Sequence, residues 1–130
     1  MVVDTSALIA ILLEEPECNT FIGLIADADD ALISAGTLAE ASIVMHAKTG
    51  GAGIGDLDDL LAAAGVRCVA VDLAQARIAR EAYARYGNGL AAAALNYGDC
   101  FAYALARVTG SPLLFKGADF ERTDVSTVSY

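Results

Sequence analysis

The chain has 130 residues with 8 Lys+Arg against 17 Asp+Glu, a formal charge of −9. That length suits one domain of the usual ~100–150 residues, and an apolar fraction of 56% supplies a core, which excludes a disordered chain or a small disulfide scaffold. The longest stretch free of Asp, Glu, Lys and Arg runs from Tyr86 to Gly98, short of the ~20 residues a transmembrane helix needs.

In chain order, Val2 and Val3 read as a short buried strand ending at Asp4, and Thr5 to Leu13 as a helix apolar on all sides, with Leu8, Ile11 and Leu12 at helical spacing. Glu14, Glu15 and Pro16 break it, and Glu17 to Ala28 reads as a second helix with Phe21, Leu24 and Ile25 inside. Ala31 to Ala35 is a second strand, followed by a helix over Thr37 to Lys48. Thr49 to Gly55, with four glycines and no phosphate-loop spacing, reads as a flexible connection. Next come a helix over Asp56 to Ala64, a third strand over Val66 to Val71 and a helix over Asp72 to Tyr86. After a Gly-rich turn and the alanine run 91–94, Asp99 to Val108 reads as a helix with Phe101, Leu105 and Val108 on one stripe. Pro112 to Phe115 is a fourth strand and Asp124 to Val128 a fifth. The alternation predicts a three-layer α/β/α domain over residues 1–130, with a mostly parallel sheet of about five strands.

No basic leader precedes the first strand, so no secretory signal is expected. Cys18, Cys68 and Cys100 are odd in number and far apart, which fits a reducing cytoplasm and packed thiols. His46 is the sole histidine, so neither a zinc site nor a Ser-His-Asp triad is expected. Charge is uneven: residues 1–60 hold eleven acids and one base, and residues 61–130 six acids and seven bases. Simple electrostatics argues against a nucleic-acid ligand, which normally meets a basic surface, and any phosphate-binding reading must explain this.

Open parallel sheets place their sites beyond the carboxyl ends of the strands. That edge receives Asp4 after strand one, Glu40 after strand two, Asp119 after strand four and Asp99 at the start of the helix leading into strand four. Four acids at one edge repel unless a cation holds them, and hard oxygens without His or Cys suit Mg²⁺ or Mn²⁺. Each acid also has a purely local explanation. Asp4 can cap a helix, Thr37-Leu38-Ala39-Glu40 has the form of a capping box, Asp99 can answer a helix dipole and Asp119 can be a turn residue. Spacing alone leaves both readings open. Asp72, which also follows a strand and begins a helix, is assigned no chemistry.

Val2-Val3-Asp4-Thr5-Ser6-Ala7-Leu8 resembles the opening of PIN-domain nucleases, specifically VapC-type toxins of bacterial toxin–antitoxin pairs. Ile33-Ser34 with Thr37-Leu38-Ala39-Glu40, the block from Leu95 to Ala106 around Asn96-Tyr97-Gly98-Asp99, and Leu113-Leu114-Phe115-Lys116-Gly117 with Asp119-Phe120 and Thr123-Asp124 agree in order. The resemblance implies an endoribonuclease whose Mg²⁺, or substituting Mn²⁺, is held by Asp4, Glu40, Asp99 and Asp119, with Asp124 a neighbour of the least constant position. It implies hydrolysis of RNA by a metal-activated water, a homodimer, and a VapB-type antitoxin whose C-terminal segment blocks the acidic pocket, commonly through an Arg. Thr5 and Ser6 would orient Asp4 or a water, or simply start a helix. Metal loading turns the acidic pocket into a phosphate site, with Arg77, Arg80, Arg85, Arg107, Lys116 or Arg122 steering RNA. Leu8, Leu12, Phe21 and Ile25 are expected to leave an apolar surface for a partner.

Two other classes share parts of this pattern. A response-regulator receiver would use Asp4, Asp72 and Lys116 but lacks paired acids after strand one and leaves Glu40 and Asp99 unexplained. A haloacid-dehalogenase-like phosphatase would want an acid where Ser6 stands.

Overall fold

A computed structural model describes residues 1–89 and 93–130. Among the described residues, β1 (Val2–Val3), β2 (Leu32–Ser34), β3 (Arg67–Val69) and β4 (Leu113–Leu114) form one parallel sheet in the order β3-β2-β1-β4. The helices are α1 (Thr5–Leu12), α2 (Cys18–Ala26), α3 (Ala35–Thr49), α4 (Ala52–Ala63), α5 (Leu73–Tyr86) and α6 (Asp99–Thr109).

Strand periodicity sorts the core into two halves. Val2, Leu32 and Leu113 face α5 and α6, where they meet Ala79, Ala82, Tyr103 and Leu105. Their successors Val3, Ile33 and Leu114 face the other side, against Leu8, Phe21, Ile25, Ala41 and Leu57 from α1 to α4. Because successive side chains point to opposite faces and both faces are covered, apolar pairs such as Val-Val and Leu-Leu are what such strands require. The three-layer α/β/α expectation is met.

Several local expectations are not. The stretch 124–128 is no fifth strand: it makes a single parallel bridge, Leu113 to Thr127, because β4 is two residues long and offers one rung on its outer edge. The sheet therefore has four strands. Of the glycine segment, only Gly50 and Gly51 break the chain, both at positive φ, while Gly53 and Gly55 lie inside α4. Gly53 is there for closeness: a Cβ would meet Met45 Cε at 2.5 Å and Thr49 Oγ1 at 2.6 Å, so glycine lets the start of α4 pack on the end of α3. Of the alanine run 91–94, residues 91 and 92 lie outside the described residues. On α6 burial runs nearly all round from Asp99 to Ala106, and Val108 is exposed, since this helix is wedged between the sheet, α3 and α5. Leu8 and Phe21 are consumed by the core and Leu12 packs half-buried against it, while Ile25, though 3% exposed, forms part of the lining of an apolar groove. The apolar opening on that side is a 210 Å³ groove lined by Ile22, Ala26, Leu60 and Ala63. His46 is exposed in the last turn of α3, Cys68 is exposed on the edge strand, and only Cys100 is fully buried.

Candidate functional site

Asp4 ends β1 and caps α1, and the cap uses one oxygen only. Oδ2 accepts the Ser6 N–H at 2.9 Å and the Ser6 hydroxyl at 2.6 Å. The Ser6 hydroxyl in turn accepts the Lys116 N–H at 2.9 Å, tying the loop after β4 to the first helix. Oδ1 is buried and has no donor. With Asp4 2% exposed, burial raises its pKa, the Ser6 bonds oppose that rise, and the charge of Glu40 adds to it.

Glu40 is not the reciprocal member of a capping box. Helix α3 begins two residues earlier than the sequence pattern implies: Ser34 is the N-cap, accepting the Gly36 N–H at 3.3 Å, and Thr37 is already inside the helix with its hydroxyl buried. That leaves Glu40 available to other partners. The Thr5 hydroxyl donates to Oε2 at 2.6 Å, and the carboxylate rests on Gly98, where a Cβ would come within 1.9 Å of Oε1.

Asp99 opens α6 in a true capping exchange that the Asn96-x-x-Asp99 spacing encodes. Asp99 Oδ2 accepts the Asn96 N–H at 2.7 Å, and Asn96 Oδ1 accepts the Asp99 N–H at 3.0 Å. Burial pushes the Asp99 carboxyl up to about 7; the Asn96 bond opposes this, and the charges of Asp4, Asp119 and Glu40 reinforce it. The other three predicted acids thus all act electrostatically on Asp99. Asp119 is the exposed member, beyond a turn at Gly117 whose φ of +107° favours glycine.

Asp124 belongs elsewhere. It accepts the Tyr103 phenol and pairs with Arg85 and Arg107 at 3.5 and 3.7 Å, and these groups, the phenol first, hold its carboxyl below the usual range. Asp72 caps α5 through the Gln75 N–H at 2.8 Å, and β2 separates its strand from β1, which removes the geometry a receiver site needs. Lys116 Nζ sits between Glu15 at 2.7 Å and Glu17 at 2.8 Å, so it, like Arg85 and Arg107, is already engaged by acids.

The donor set fits a hard divalent ion in kind: carboxylate oxygens only, with one buried oxygen of Asp4 lacking any partner. It is not a closed cage, for no three His, Cys, Asp or Glu side chains among the described residues are gathered tightly enough to ligate one ion. Three of the acids each spend an oxygen on a protein donor, supplied by Ser6, Thr5 and Asn96. Asn96 and Gly98 were not singled out by the sequence pattern, although the capping-box spacing ending at Asp99 was a readable signal for Asn96.

Comparison with known proteins places the chain in a family and a fold. The PIN domain family model matches residues 1–126. The chain is 51% identical over 128 residues to a Ribonuclease VapC of Mycolicibacterium smegmatis, covering 98% of this chain and 99% of the relative. It is 46% identical over 129 residues to Ribonuclease VapC30 of Mycobacterium tuberculosis, covering 99% and 98%. In fold it is similar to the Mycobacterium tuberculosis toxin VapC20, described as cleaving the sarcin-ricin loop, with a TM-score of 0.80 at 19% identity over 99% and 98% of the two chains. It is likewise similar to VapBC2 of Rickettsia felis, solved on a promoter DNA fragment, with a TM-score of 0.73 at 15% identity over 98% and 96%. With nearly its whole length matched by the family model and by these relatives, the chain belongs to the PIN-domain family, in the group named VapC.

Proposed function

We propose that this chain is the ribonuclease toxin of a toxin–antitoxin pair and that it cuts RNA endonucleolytically with Mg²⁺ or Mn²⁺ held by Asp4, Glu40 and Asp99, Asp119 completing the set directly or through water. The observation that carries the reading is the buried, donorless Oδ1 of Asp4, beside Glu40, whose charge adds to the rise of Asp4, and Asp99, which burial and the charges of Asp4, Asp119 and Glu40 raise. An ion bound among these oxygens offsets their repulsion, acidifies a water and neutralises charge on a phosphoryl group.

The rest of the work falls to the chain. Ser6, itself held by the Lys116 N–H, fixes Asp4; Thr5 fixes Glu40; Asn96 fixes Asp99. With a lone histidine, exposed on α3, there is no pair of imidazoles to activate the 2′-hydroxyl. Water is therefore the attacking group: its oxygen bonds to phosphorus, the 3′ oxygen leaves with a proton, and the ends are 5′-phosphate and 3′-hydroxyl. Unpaired RNA is the substrate form, since a regular duplex cannot bring its backbone into a narrow acidic cleft.

Family membership supports a VapB-type antitoxin as partner, and the acidic site suits a basic residue of that partner. The 210 Å³ apolar groove between α2 and α4 offers its chain a second foothold. The same membership supports a homodimer of single-domain chains, residues 1–130 each, acting in the cytoplasm; among the described residues no helix is long and apolar enough to cross a membrane. Incubating purified protein with total RNA and Mn²⁺, then mapping the ends, tests the reaction. Cutting that EDTA and Asp4→Asn abolish is expected; 2′,3′-cyclic phosphate ends or full activity in EDTA overturn it.

A further inference from the structure

One aromatic residue beside the acids is left unexplained by the hydrolytic reading. Tyr97 lies one residue before Gly98, on which the Glu40 carboxylate rests, yet its side chain is 78% exposed. It stands on a fixed base. Its ring meets Phe101 edge-to-face, 5.0 Å between centroids at 88°, and Phe101 is pressed onto the backbone of Gly36, where a Cβ would come within 2.4 Å of the ring. Tyr97 is thus a crest between two grooves that share it and Phe101. One, of 430 Å³, runs along α3 past Ile43 to Glu40; the other, of 360 Å³, runs along α5 past Arg80 and Tyr83.

A contiguous exposed apolar surface marks a binding site, and Tyr97, Ile43 and Tyr83 all line these grooves while exposed. Here one flank ends at the acidic site and the other carries a guanidinium, and among the described lining residues Glu40 is the single acid in either groove of a chain with charge −9. Apolar walls, a rigid ring and a nearby Arg are the ingredients by which proteins hold unpaired bases, whose flat faces stack while the phosphate follows the positive charge. We infer that Tyr97 is a stacking platform for an unpaired base of the RNA next to the cut phosphate, with Arg80 holding the backbone beyond it. This rests on the ribonuclease reading and adds a specificity element to it: the enzyme selects a base that is free to leave its own stack.

The chain has no Trp, so Tyr97→Trp supplies a single fluorescent reporter. At low salt, with Ca²⁺ in place of Mn²⁺, a short single-stranded oligoribonucleotide of mixed sequence is expected to quench it, and the same oligonucleotide in a duplex to leave it unchanged. In cleavage of total RNA with Mn²⁺, Tyr97→Phe, which keeps the ring, should retain more activity than Tyr97→Ala. Tyr97→Ala should cut about 10-fold more slowly and lose base preference beside the cut, as loss of one stacked base implies. An unquenched reporter, or wild-type cutting by Tyr97→Ala, overturns the proposal. So does a Tyr97→Ala protein that loses activity together with a dimer-to-monomer shift in light scattering, which would make the crest a contact between copies. If the wild type cuts no RNA while the reporter is quenched by single strands, the hydrolytic reading fails and the platform stands.

Discussion

Asn96 and Asp99 exchange hydrogen bonds, each side chain accepting the other's backbone N–H, at 3.0 and 2.7 Å. One turn of backbone thereby fixes the Asp99 carboxylate in a buried position where Asp4, Asp119 and Glu40 all push its pKa upward. The same residue is a structural cap and the electrostatic centre of the acidic site, and the two roles pull stability in opposite directions as pH changes.

Divalent-free protein should lose stability with rising pH through Asp99. Its folded-state value of about 7 lies above the ordinary 3.8, so between those values the folded chain holds a proton that the unfolded chain has released. Stability from this group is complete below about 4 and lost as pH rises through 7. In EDTA, Asp99→Asn should exceed the wild type in urea resistance at pH 8 by on the order of 2 kcal/mol, discounting the shift for partial solvation, and match it near pH 4. A difference that does not grow with pH would contradict this.

Gly98→Ala should damage the site while sparing the fold. Gly98 has helical backbone angles, φ −65° and ψ −44°, which alanine adopts freely, but the new methyl would collide with the Glu40 carboxylate. Unchanged circular dichroism with Mn²⁺ affinity weakened about 10-fold in calorimetry is expected for one displaced ligand. Full affinity would remove Glu40 from the site.

Ser6→Ala removes a donor to Asp4 and the acceptor of the Lys116 N–H together. Leaving both buried groups short of a partner should cost about 1–3 kcal/mol in denaturant unfolding. Cleavage should fall as well, through kcat more than KM, because Asp4 loses its orientation. Ser6→Thr, which keeps the hydroxyl, should recover part of both.

Asp72→Asn is the control at the same sheet edge. It keeps a capping side chain at the start of α5, so stability should change by less than ~0.5 kcal/mol and RNA cleavage not at all. Loss of cleavage would place Asp72 in the chemistry.

Lys116→Ala releases Glu15 and Glu17 at a partly exposed cluster, where solvent screens the pairs. A small loss of stability with unchanged salt dependence of RNA binding is expected. A weaker salt dependence would show that Lys116 leaves its acids to meet phosphate.

The sequence by itself determined the alternation of strands and helices and the acids Asp4, Glu40 and Asp99 near strand ends and helix starts, because these rest on short-range rules of periodicity and capping. What it could not decide is which partner each group takes across the fold. Ser6 and Lys116 are 110 positions apart, Thr5 and Glu40 are 35 apart, and no local pattern encodes such pairs. The capping-box form at Thr37 misleads because Ser34 starts the helix first, and Gly53 reads as a breaker where it is a contact point with α3. Asp119 and Asp124 look alike in sequence. Tertiary structure separates them, since Tyr103, Arg85 and Arg107 converge on Asp124 from α5 and α6, while the loop after β4 leaves Asp119 within reach of the acidic edge. Local rules act over a turn or two of chain, and the site is assembled from elements that meet only when the sheet does.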